Sequence, residues 1–374
     1  MHKGNLIKEY AAQVGFDFCG ITSAEPFTEL LDFLQQRQQK NWQSEFEKFE
    51  LQTRINPKLV LPEARSIIAL AKIYPECRQS AEFQGKGKIA RFAWGPDYHQ
   101  DLQKSLGQMV DFLRKEFHVK KAVSYVDKGP LLDRAIAARA GLGWYGKNCA
   151  IMTKRAGSWI ALGEILVDIF LPEDEPLPPG CGSCTKCLDA CPTGALTKPY
   201  QVNCQKCISY LTQSKKIIPD QYRALMGNSL YGCDACQDVC PYNQKVSRDL
   251  NAAAQEAIFS ELDLSYLLSL SKGGFQKEYK DRAFGWLGKN ILQRNALIAL
   301  GNSKDPAAIP LLIKGLNSSS PQQRGYSAWA LGQIATNQAY DALKIALNKE
   351  NNQWVKSEIK NALEQKAPPG AGLL

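Results

Sequence analysis

The sequence predicts three domains: a mixed α/β domain over residues 1–172, a small cysteine-rich domain over 173–245 and an all-helical repeat domain over 246–374. Three observations predict this division. Apolar β-branched runs alternate with a helical pattern in the first part. Nine of the 12 cysteines fall between residues 181 and 240, and a short motif recurs near the C-terminus at intervals of 31–32 residues. A chain of 374 residues can form two or three domains, each with its own core.

Composition narrows the class of protein. Hydrophobic residues make up 44% and charged residues 22% of the chain, as is typical of a folded globular protein rather than a disordered one. No apolar run approaches the roughly 18 residues that a membrane-spanning helix needs. The first residues, Met1–Asn5, lack the apolar core of a signal peptide. We therefore expect a cytoplasmic protein that is not bound to a membrane.

The first domain is predicted from strand and helix patterns. Apolar runs at Ser66–Tyr74, Ala122–Val126 and Ser158–Ile169 indicate buried strands. Apolar residues recur at helical spacing over Asp97–Phe117, which indicates a helix with one face in the core. A connector over Glu173–Gly180, acidic and rich in proline, marks the end of this domain.

The clustered cysteines form two runs of the bacterial ferredoxin type. The first run has spacings of two, two and three residues and ends in proline: Cys181, Cys184, Cys187, Cys191 and Pro192. The second run lacks the first cysteine of that pattern: Cys233, Cys236, Cys240 and Pro241. Because structural disulfides are rare in the cytosol, this clustering indicates metal ligation.

In a ferredoxin the fourth cysteine of each run binds the other cluster. One predicted [4Fe–4S] cluster therefore has the ligands Cys181, Cys184, Cys187 and Cys240. The other has Cys191, Cys233 and Cys236, together with either Cys204 or Cys207. Zinc is the alternative, since four-cysteine zinc sites also use closely paired cysteines. Two such clusters form an electron relay, which needs a terminal acceptor.

A glycine-rich stretch in the first domain is the candidate site for that acceptor. Residues Val126–Arg134 are predicted to leave a strand and enter a helix, and glycines are dense over Ala140–Asn148. Glycines let backbone approach a bulky ligand closely, although a purely structural turn is the alternative. The chain has neither a dinucleotide-binding fingerprint nor a Walker A sequence.

The C-terminal domain is predicted to be a short α-solenoid of the HEAT type. The motif at Ala299–Gly301 recurs at Ala330–Gly332 and is echoed at Ala362–Leu363, and second helices are predicted over 307–316 and 338–347. Residues 271–374 hold 14 Lys and Arg against 7 Asp and Glu, a net charge of +7 out of the whole chain's +9. This charge is either a solvated helical surface or a face that binds a polyanion.

Several stretches together resemble the epoxyqueuosine reductase family, in the right order and over essentially the whole chain. They are the two cysteine runs, Ala90–His99, Val126–Arg134, Ala140–Asn148, Gly157–Asp168, Cys207–Thr212, Arg294–Ala296 and Leu300–Asn302. The resemblance implies a reductase domain related to the corrinoid reductive dehalogenases, a ferredoxin-like two-cluster domain and a HEAT-like domain. It implies reduction of epoxyqueuosine to queuosine at the wobble position of tRNA anticodons, with cobalamin and two [4Fe–4S] clusters as cofactors.

The resemblance also implies roles for individual residues. Asp127 matches the family's proton donor, and Cys207 rather than Cys204 matches the remote ligand of the second cluster. Asp133 is the competing carboxylate, which we interpret as a first-turn residue that favours the helix dipole. Arg134 is expected to contact cobalamin or to orient Asp127.

Further cofactor-binding residues are expected at Tyr98, His99, Lys147 and Asn148. Cobalamin is expected in the base-off form without a histidine ligand, and the protein as a monomer that takes electrons from an external low-potential donor. The basic helical domain is expected to anchor the tRNA backbone, with the candidates Arg282, Lys289, Arg294 and Arg324.

Two other readings of the sequence remain open. The chain is either a small-molecule reductase like the corrinoid dehalogenases, or a non-enzymatic electron-transfer scaffold built from a ferredoxin and a repeat module. The first has no use for a basic helical domain. The second gives Asp127 and the glycine-rich stretch no role.

Overall fold

The computed structural model describes residues 3–74, 85–246 and 259–364. Their contacts form two compact units. The first contains residues 3–74, 91–207 and 234–246, and the second contains 85–90, 208–233 and 259–364. The chain passes between the units inside the cysteine-rich segment, after Cys207 and after Cys233. The two units therefore do not coincide with the three predicted domains.

Both units combine short strands with helices. The strands are β1 Phe18–Ser23, β2 Ser66–Ile73, β3 Lys86–Ile89, β4 Ala122–Tyr125, β5 Trp144–Tyr145, β6 Ile151–Met152, β7 Ile160–Val167, β8 Leu196–Lys198, β9 Gln201–Val202, β10 Ser229–Tyr231 and β11 Glu261–Asp263. The helices of the first unit are α1 Lys3–Gln13, α2 Leu31–Gln39, α3 Leu51–Ile55, α4 Tyr98–Phe117, α5 Asp133–Arg139 and α6 Lys186–Asp189. Two further short helices of this unit, α9 Ala235–Asp238 and α10 Pro241–Gln244, lie within the cysteine-rich segment.

The remaining helices begin inside the cysteine-rich segment. They are α7 Ile208–Gln213, α8 Asp220–Arg223, α11 Leu264–Ser269, α12 Lys272–Tyr279, α13 Lys289–Ser303, α14 Ile309–Leu316, α15 Pro321–Ile334, α16 Asn337–Lys349 and α17 Gln353–Glu364. Among the described residues, no helix is both long enough and apolar enough to cross a bilayer.

The core of the first unit is a four-stranded antiparallel sheet in the order β1-β2-β7-β4. The three predicted strands are all present, each one or more residues shorter than predicted. One detail of the prediction was wrong: Ala122–Tyr125 lies at the edge of the sheet and is half-buried, not buried. An edge strand packs against only one neighbour, so its apolar residues keep part of their surface in water.

Helices cover both faces of this sheet. On one face α4 packs its apolar stripe, including Leu106 and Met109, against Ile165 of β7. The other face is covered by α2 and α5. The side chain of Asp97 accepts a hydrogen bond from the backbone N–H of His99 and so caps α4. This cap fixes the position of the first turn, which carries Tyr98 and His99.

The second unit contains the helical repeat predicted from the sequence. Helices α13, α15 and α17 pack side by side, and α14 and α16 are the second helices of the pairs. A Cβ atom at Gly301 would lie 2.8 Å from the Cα of Ala330, and one at Gly332 would lie 2.7 Å from the Cβ of Ala362. The recurring Ala-Leu-Gly motif is therefore explained by small residues that let successive helices approach closely.

Candidate active site

Asp127 lies directly after the edge strand β4, at the wall of two cavities. The cavities measure about 550 and 370 Å³, and both are lined by Asp127, Asp133 and Arg134. The backbone of Asp127 has a φ of +54°, a left-handed conformation that is uncommon outside glycine and in which Asp and Asn are enriched. The turn after β4 therefore places this carboxyl group facing space for a ligand.

Two side chains from the first turn of α4 contact the Asp127 carboxyl group. The hydroxyl of Tyr98 donates a hydrogen bond to Oδ2 of Asp127, and Nε2 of His99 lies 3.6 Å from the same oxygen. The other ring nitrogen of His99 lies 2.7 Å from Oδ1 of Asp97. The structure thus brings together three of the predicted site residues, Asp127, Tyr98 and His99.

The surroundings of Asp127 favour the protonated acid. Its pKa is raised, mainly because protein atoms around the carboxyl group exclude water. The hydrogen bond from Tyr98 and the nearby charges of Arg134 and Lys128 lower the pKa in part, without reversing the shift. Forty per cent of the side chain is exposed, and the side chain lines both cavities. The carboxyl group can therefore hold a proton beside a bound ligand.

Asp133 and Glu164 extend this site into the protein. Burial and the charge of Asp127 raise the pKa of Asp133 to about 7. Glu164, on β7, is 1% exposed, and burial raises its pKa well above the usual value. The two carboxyl groups lie close enough for each to act on the pKa of the other. From the sequence, Asp133 was interpreted as an acid in the first turn of a helix, where the helix dipole favours a negative charge. Its contact with Glu164 was not predicted.

Arg134, at the start of α5, closes one side of the site. Its Nη1 atom donates a 2.6 Å hydrogen bond to the backbone carbonyl of Cys149, and its guanidinium carbon lies 5.9 Å from the centre of the Tyr145 ring. These contacts fix the positive charge beside Asp127. Arg134 can thus orient both the carboxyl group and an anionic or polar ligand.

The larger cavity has the character of a site for a large organic ligand. Its volume of about 550 Å³ lies within the range of about 300–1,000 Å³ usual for such sites. Its wall is largely apolar and aromatic, with a few charged groups, and includes Phe33, Phe46, Phe49, Tyr145, Tyr200, Arg37, Glu47 and Arg54. Aromatic faces beside a few fixed cations suit a bulky conjugated group with polar substituents.

A separate cavity of about 50 Å³ is lined by four of the predicted cluster ligands: Cys181, Cys184, Cys187 and Cys240. They are the same four that the spacing assigns to a single cluster. Within the described residues, no group of three His, Cys, Asp or Glu side chains is placed so that it could hold a single metal ion. Four thiols around one cavity fit a cubane cluster, which is held by cysteine thiolates.

Lys147 and Asn148 line this cysteine cavity and not the two cavities at Asp127. The Nζ atom of Lys147 donates hydrogen bonds to the backbone carbonyls of Gly182 and Cys184, at 2.6 and 2.9 Å. The structure places both residues beside the first cluster site, and a role in binding cobalamin stays a prediction. The bonds of Lys147 hold the loop that carries Cys181 and Cys184.

The second ligand group remains a prediction, from the spacing for Cys191, Cys233 and Cys236 and from the family resemblance for Cys207. Cys204, the residue that the resemblance excluded, accepts a hydrogen bond of 3.5 Å from Nη2 of Arg37. Cys19 and Cys149 are free thiols whose pKa values burial raises, to about 12 and about 11. Cys77 lies outside the described residues.

The glycines of Ala140–Asn148 have a structural explanation. A Cβ atom at Gly141 would lie 2.5 Å from the backbone oxygen of Glu175, and one at Gly143 would lie 2.3 Å from that of Met152. Gly141 also has a φ of +72°. The glycines therefore serve the structural turn that was the alternative, because the chain itself occupies the space they leave. The stretch meets the larger cavity through Tyr145 and not through a glycine.

The structure also corrects one of the four candidate tRNA contacts. Arg294 is completely buried, and its guanidinium donates to the backbone carbonyls of Leu211, Thr212, Ser214 and Lys216. Arg324 forms an ion pair with Glu350. Lys289 and Arg282 are partly exposed, with the guanidinium of Arg282 stacked on Phe259. A charged residue in a basic domain is thus not necessarily at its surface.

Glu164 and Tyr74 are site residues that the sequence reasoning missed. Tyr74 lines the smaller cavity beside Asp127, and burial raises its pKa. The signal for Glu164 was present in the sequence, as an acid in the middle of the apolar run Ser158–Ile169, whose other acid, Asp168, lies near its end. The signal for Tyr74 was its position at the end of the predicted strand Ser66–Tyr74. An aromatic residue there is equally typical of ordinary packing.

Three family models match consecutive parts of the chain. "Epoxyqueuosine reductase QueG, DUF1730" matches residues 54–128. "4Fe-4S double cluster binding domain" matches residues 180–243, a range that contains all eight predicted cluster ligands. "HEAT repeats" matches residues 289–364. The fold class predicted from the sequence is thereby confirmed in its cluster-binding and helical-repeat parts.

Known proteins match almost the whole chain. Epoxyqueuosine reductase from Bacillus subtilis is 40% identical over 362 residues, which cover 95% of this chain and 94% of that protein. A crystal structure of an epoxyqueuosine reductase with an epoxyqueuosine-modified tRNA-Tyr stem loop is 39% identical, with a TM-score of 0.91 over 96% of this chain and 98% of that one. A Bacillus subtilis structure with its catalytic aspartate loop swung out of the active site is 38% identical, with a TM-score of 0.90 over 96% of this chain and 98% of that chain. The chain therefore belongs to the epoxyqueuosine reductase family of oxidoreductases.

Proposed function

We propose that this enzyme reduces the epoxide of epoxyqueuosine in a tRNA anticodon to the alkene of queuosine, with Asp127 as the proton donor. The observation that carries the proposal is the position of the Asp127 carboxyl group. It lines two cavities, accepts a hydrogen bond from Tyr98 and has a raised pKa. Family membership supports the same assignment, because Asp127 is the residue that matched the family's proton donor.

Asp127 performs the proton-transfer part of the reaction. Opening an epoxide leaves a strongly basic oxygen, and a positioned acid near its optimum pKa speeds such a step by roughly 10²–10⁴-fold. The raised pKa keeps the carboxyl group protonated closer to neutral pH. Tyr98 and His99 hold the carboxyl oxygen in place, and Arg134 places a positive charge in the wall of the same cavities.

Arg134 and the aromatic side chains that line the larger cavity would hold cobalamin there, with Tyr98 and His99 holding the Asp127 carboxyl group at the cavity wall. When bound, cobalamin supplies the reducing cobalt centre for cleavage of the carbon–oxygen bond. We propose the base-off form. The residues of the cavity then have three tasks: to bind the macrocycle, to exclude water and to hold the proton of Asp127.

The eight predicted cysteine ligands hold two [4Fe–4S] clusters, which deliver electrons one at a time from an external low-potential donor. Cys181, Cys184, Cys187 and Cys240 bind one cluster, with Lys147 and Asn148 at its edge. Cys191, Cys207, Cys233 and Cys236 bind the other. The family model for double-cluster domains covers all eight and supports this assignment.

The substrate is a tRNA, bound by a monomeric enzyme in the cytoplasm. A wobble base in a single-stranded loop can leave its stack at a cost of a few kcal/mol. The phosphates of the stem are bound by basic side chains of the helical repeat, among which Lys289 and Arg282 are partly exposed. A related enzyme has been crystallised with an epoxyqueuosine-modified stem loop, which supports this choice of partner.

One assay tests the proposal against the two other readings. Anaerobic protein with reconstituted clusters, cobalamin and a low-potential reductant is mixed with tRNA that carries epoxyqueuosine, and the nucleosides are identified by mass spectrometry. We expect queuosine to form, and none without cobalamin. Conversion of an organohalide without conversion of the tRNA would identify a dehalogenase-like enzyme. Clusters that pass electrons to a partner without either conversion would identify a scaffold.

A further inference from the structure

Glu164 lies at the centre of the first unit's sheet. It sits in the middle of β7, opposite Ala69 of β2 and Tyr125 of β4, and its side chain is 1% exposed. Alternation along the strand places it on the face covered by α5. The other residues of β7, from Ile160 to Val167, are apolar or glycine. A single acid at such a position is costly unless it is neutral or paired.

The partners of Glu164 show in which form it exists. The carboxyl group of Asp133 lies close enough to Glu164 to act on its pKa. Ionised carboxylates only accept hydrogen bonds, so two adjacent carboxyl groups can bond to each other only when one of them carries a proton. One oxygen of Glu164, Oε1, has no hydrogen-bond partner among the described residues. Because Glu164 is the more deeply buried of the two, it carries that proton.

Helix α5, which covers this face, carries two positive charges, and both are bonded to other groups: Arg134 to the backbone carbonyl of Cys149, and Arg139 to Thr22, Ser23 and Glu25. The residues opposite it on the sheet are Ala69 and Tyr125, and the charged groups that act on it most are the acids Asp133 and Asp127. Both disfavour a second negative charge. The pair is therefore stable with one proton and resists becoming a double anion.

Asp133 connects this pair to the active site. It begins α5, and its side chain lines the same two cavities as Asp127. Glu164 itself lines neither of those cavities. A proton on Glu164 thus reaches the cavities through Asp133.

The proposed reaction needs more protons than Asp127 holds. Conversion of an epoxide to an alkene consumes two electrons and two protons, breaks two carbon–oxygen bonds and releases one water. The electrons come from the low-potential one-electron donor, and Asp127 supplies the first proton. We infer that Glu164 and Asp133 store the second proton and pass it through Asp133 to Asp127 or to the departing oxygen. The inference rests on the proposed function.

The resting protein offers a test that does not involve catalysis. Infrared spectroscopy at pH 8 should detect a protonated carboxyl group whose band shifts in D₂O. The band should be lost in Glu164→Gln and kept in Glu63→Gln, which makes the same substitution at an exposed acid paired with Lys121. If wild-type protein shows no such band, or if Glu164→Gln keeps it, the pair does not store a proton and the inference is wrong.

Single-turnover conversion of the modified tRNA tests the transfer itself. We expect Glu164→Gln to slow conversion at pH 8 by roughly 10²-fold, the lower end for a positioned acid, and less at pH 6, where solvent supplies protons more readily. Glu164→Asp should recover part of the rate, and Glu63→Gln should leave it unchanged. Asp133→Asn removes the same path at the cavity wall and tests it even if Glu164→Gln folds poorly.

The outcomes separate the inference from the proposed function. Wild-type rates and an unchanged pH profile in both Glu164→Gln and Asp133→Asn would overturn the inference and leave the function standing. An equal slowing at every pH would indicate a merely structural role and would also overturn it. If wild-type enzyme makes no queuosine at all, the proposed function fails and the inference fails with it.

Discussion

Buried charges serve different ends in the two units of this enzyme. In the second unit, Arg223 is 2% exposed and forms two hydrogen bonds of 2.7 and 2.8 Å with the carboxylate of Glu358. Arg294 is equally buried and donates to four backbone carbonyls. In the first unit, Asp133 and Glu164 face each other, and their pKa values are raised. The buried charges of the first kind are matched by an opposite charge or by backbone carbonyls, whereas the acids of the second kind face one another without such a match.

The difference shows how burial can be used either for stability or for chemistry. Removing one partner from a satisfied buried pair leaves an uncompensated charge and destabilises the fold. Replacing an acid that is held neutral by a neutral isostere removes a proton and leaves the fold intact. Substitutions in the two units should therefore have opposite signatures, one in the free energy of unfolding and the other in the rate of reaction.

The largest effect is expected from Asp127→Asn. Without its acid the enzyme should convert epoxyqueuosine roughly 10²–10⁴-fold more slowly. Asparagine tolerates the left-handed backbone at this position, so the free energy of unfolding should stay within about 0.5 kcal/mol. Nucleoside mass spectrometry measures the rate, and the absorbance of the clusters is the control. Full activity in this variant would mean that another group supplies the first proton.

The second prediction concerns stability alone. Glu358→Gln should lower the free energy of unfolding by about 3–5 kcal/mol, because it leaves Arg223 buried without its counter-charge. The double variant Arg223→Met/Glu358→Leu removes both charges and should recover most of that loss. Denaturant unfolding of the two variants measures the difference. If the single and double variants are equally unstable, loss of packing rather than the unpaired charge is responsible.

Asp133 should make the protein less stable as pH rises. An acid in a salt bridge has the opposite effect, because its stabilisation is lost as pH falls. The pKa of Asp133 is about 7 in the folded protein, against about 3.9 for an unperturbed Asp. Between these values the folded state holds a proton that the unfolded state has lost, so wild-type stability falls as pH rises from about 4 to about 7. In Asp133→Asn the free energy of unfolding should therefore fall by about 1–2 kcal/mol less over this pH range than in the wild type. The value is this small because Asp133 is partly exposed and solvent screens it.

The measurement for this variant is chemical denaturation across that pH range, with Glu63→Gln as the exposed control. Above pH 7 Asp133→Asn should be at least as stable as the wild type. An identical pH dependence in the variant and the wild type would show that the Asp133 carboxyl group is already ionised at low pH in the folded protein.

The smallest effect is expected at the basic surface of the second unit. Binding of tRNA should weaken log-linearly with salt, and the double variant Arg282→Gln/Lys289→Gln should reduce the magnitude of the slope by roughly one to two. Lys121→Gln in the first unit should leave the slope unchanged. Fluorescence anisotropy at several salt concentrations measures it. A slope that is zero in the wild type, or the same in all three proteins, would exclude these contacts.

Periodicity and spacing predicted the framework well. Helix α4 begins one residue after the predicted start, because Asp97 is its cap, and the four cysteines assigned to one cluster line one cavity. These features depend on local spacing along the chain, which the sequence displays directly. The position of the ligand site at Asp127 was predicted less well. The glycines that suggested a ligand pack against the chain's own backbone.

The roles of buried charges could not be predicted in the same way. Glu164 is the one charged residue of the apolar strand β7, whereas Arg294 stands between Gln293 and Asn295 and looks like a surface residue in the sequence. Arg294 lies among carbonyl groups 78–83 residues away along the chain. Glu164 meets another acid instead. Only the tertiary partners distinguish a charge that stabilises the fold from one that carries a proton.

The pH dependence of single-turnover queuosine formation tests the central claim most directly. If a protonated Asp127 starts the reaction, the wild-type rate should fall as pH rises above the pKa of that group. Tyr98→Phe removes the hydrogen bond that lowers this pKa, so the fall should move to higher pH, and Asp127→Asn should abolish it. A wild-type rate that is constant with pH, or that rises, would contradict the account.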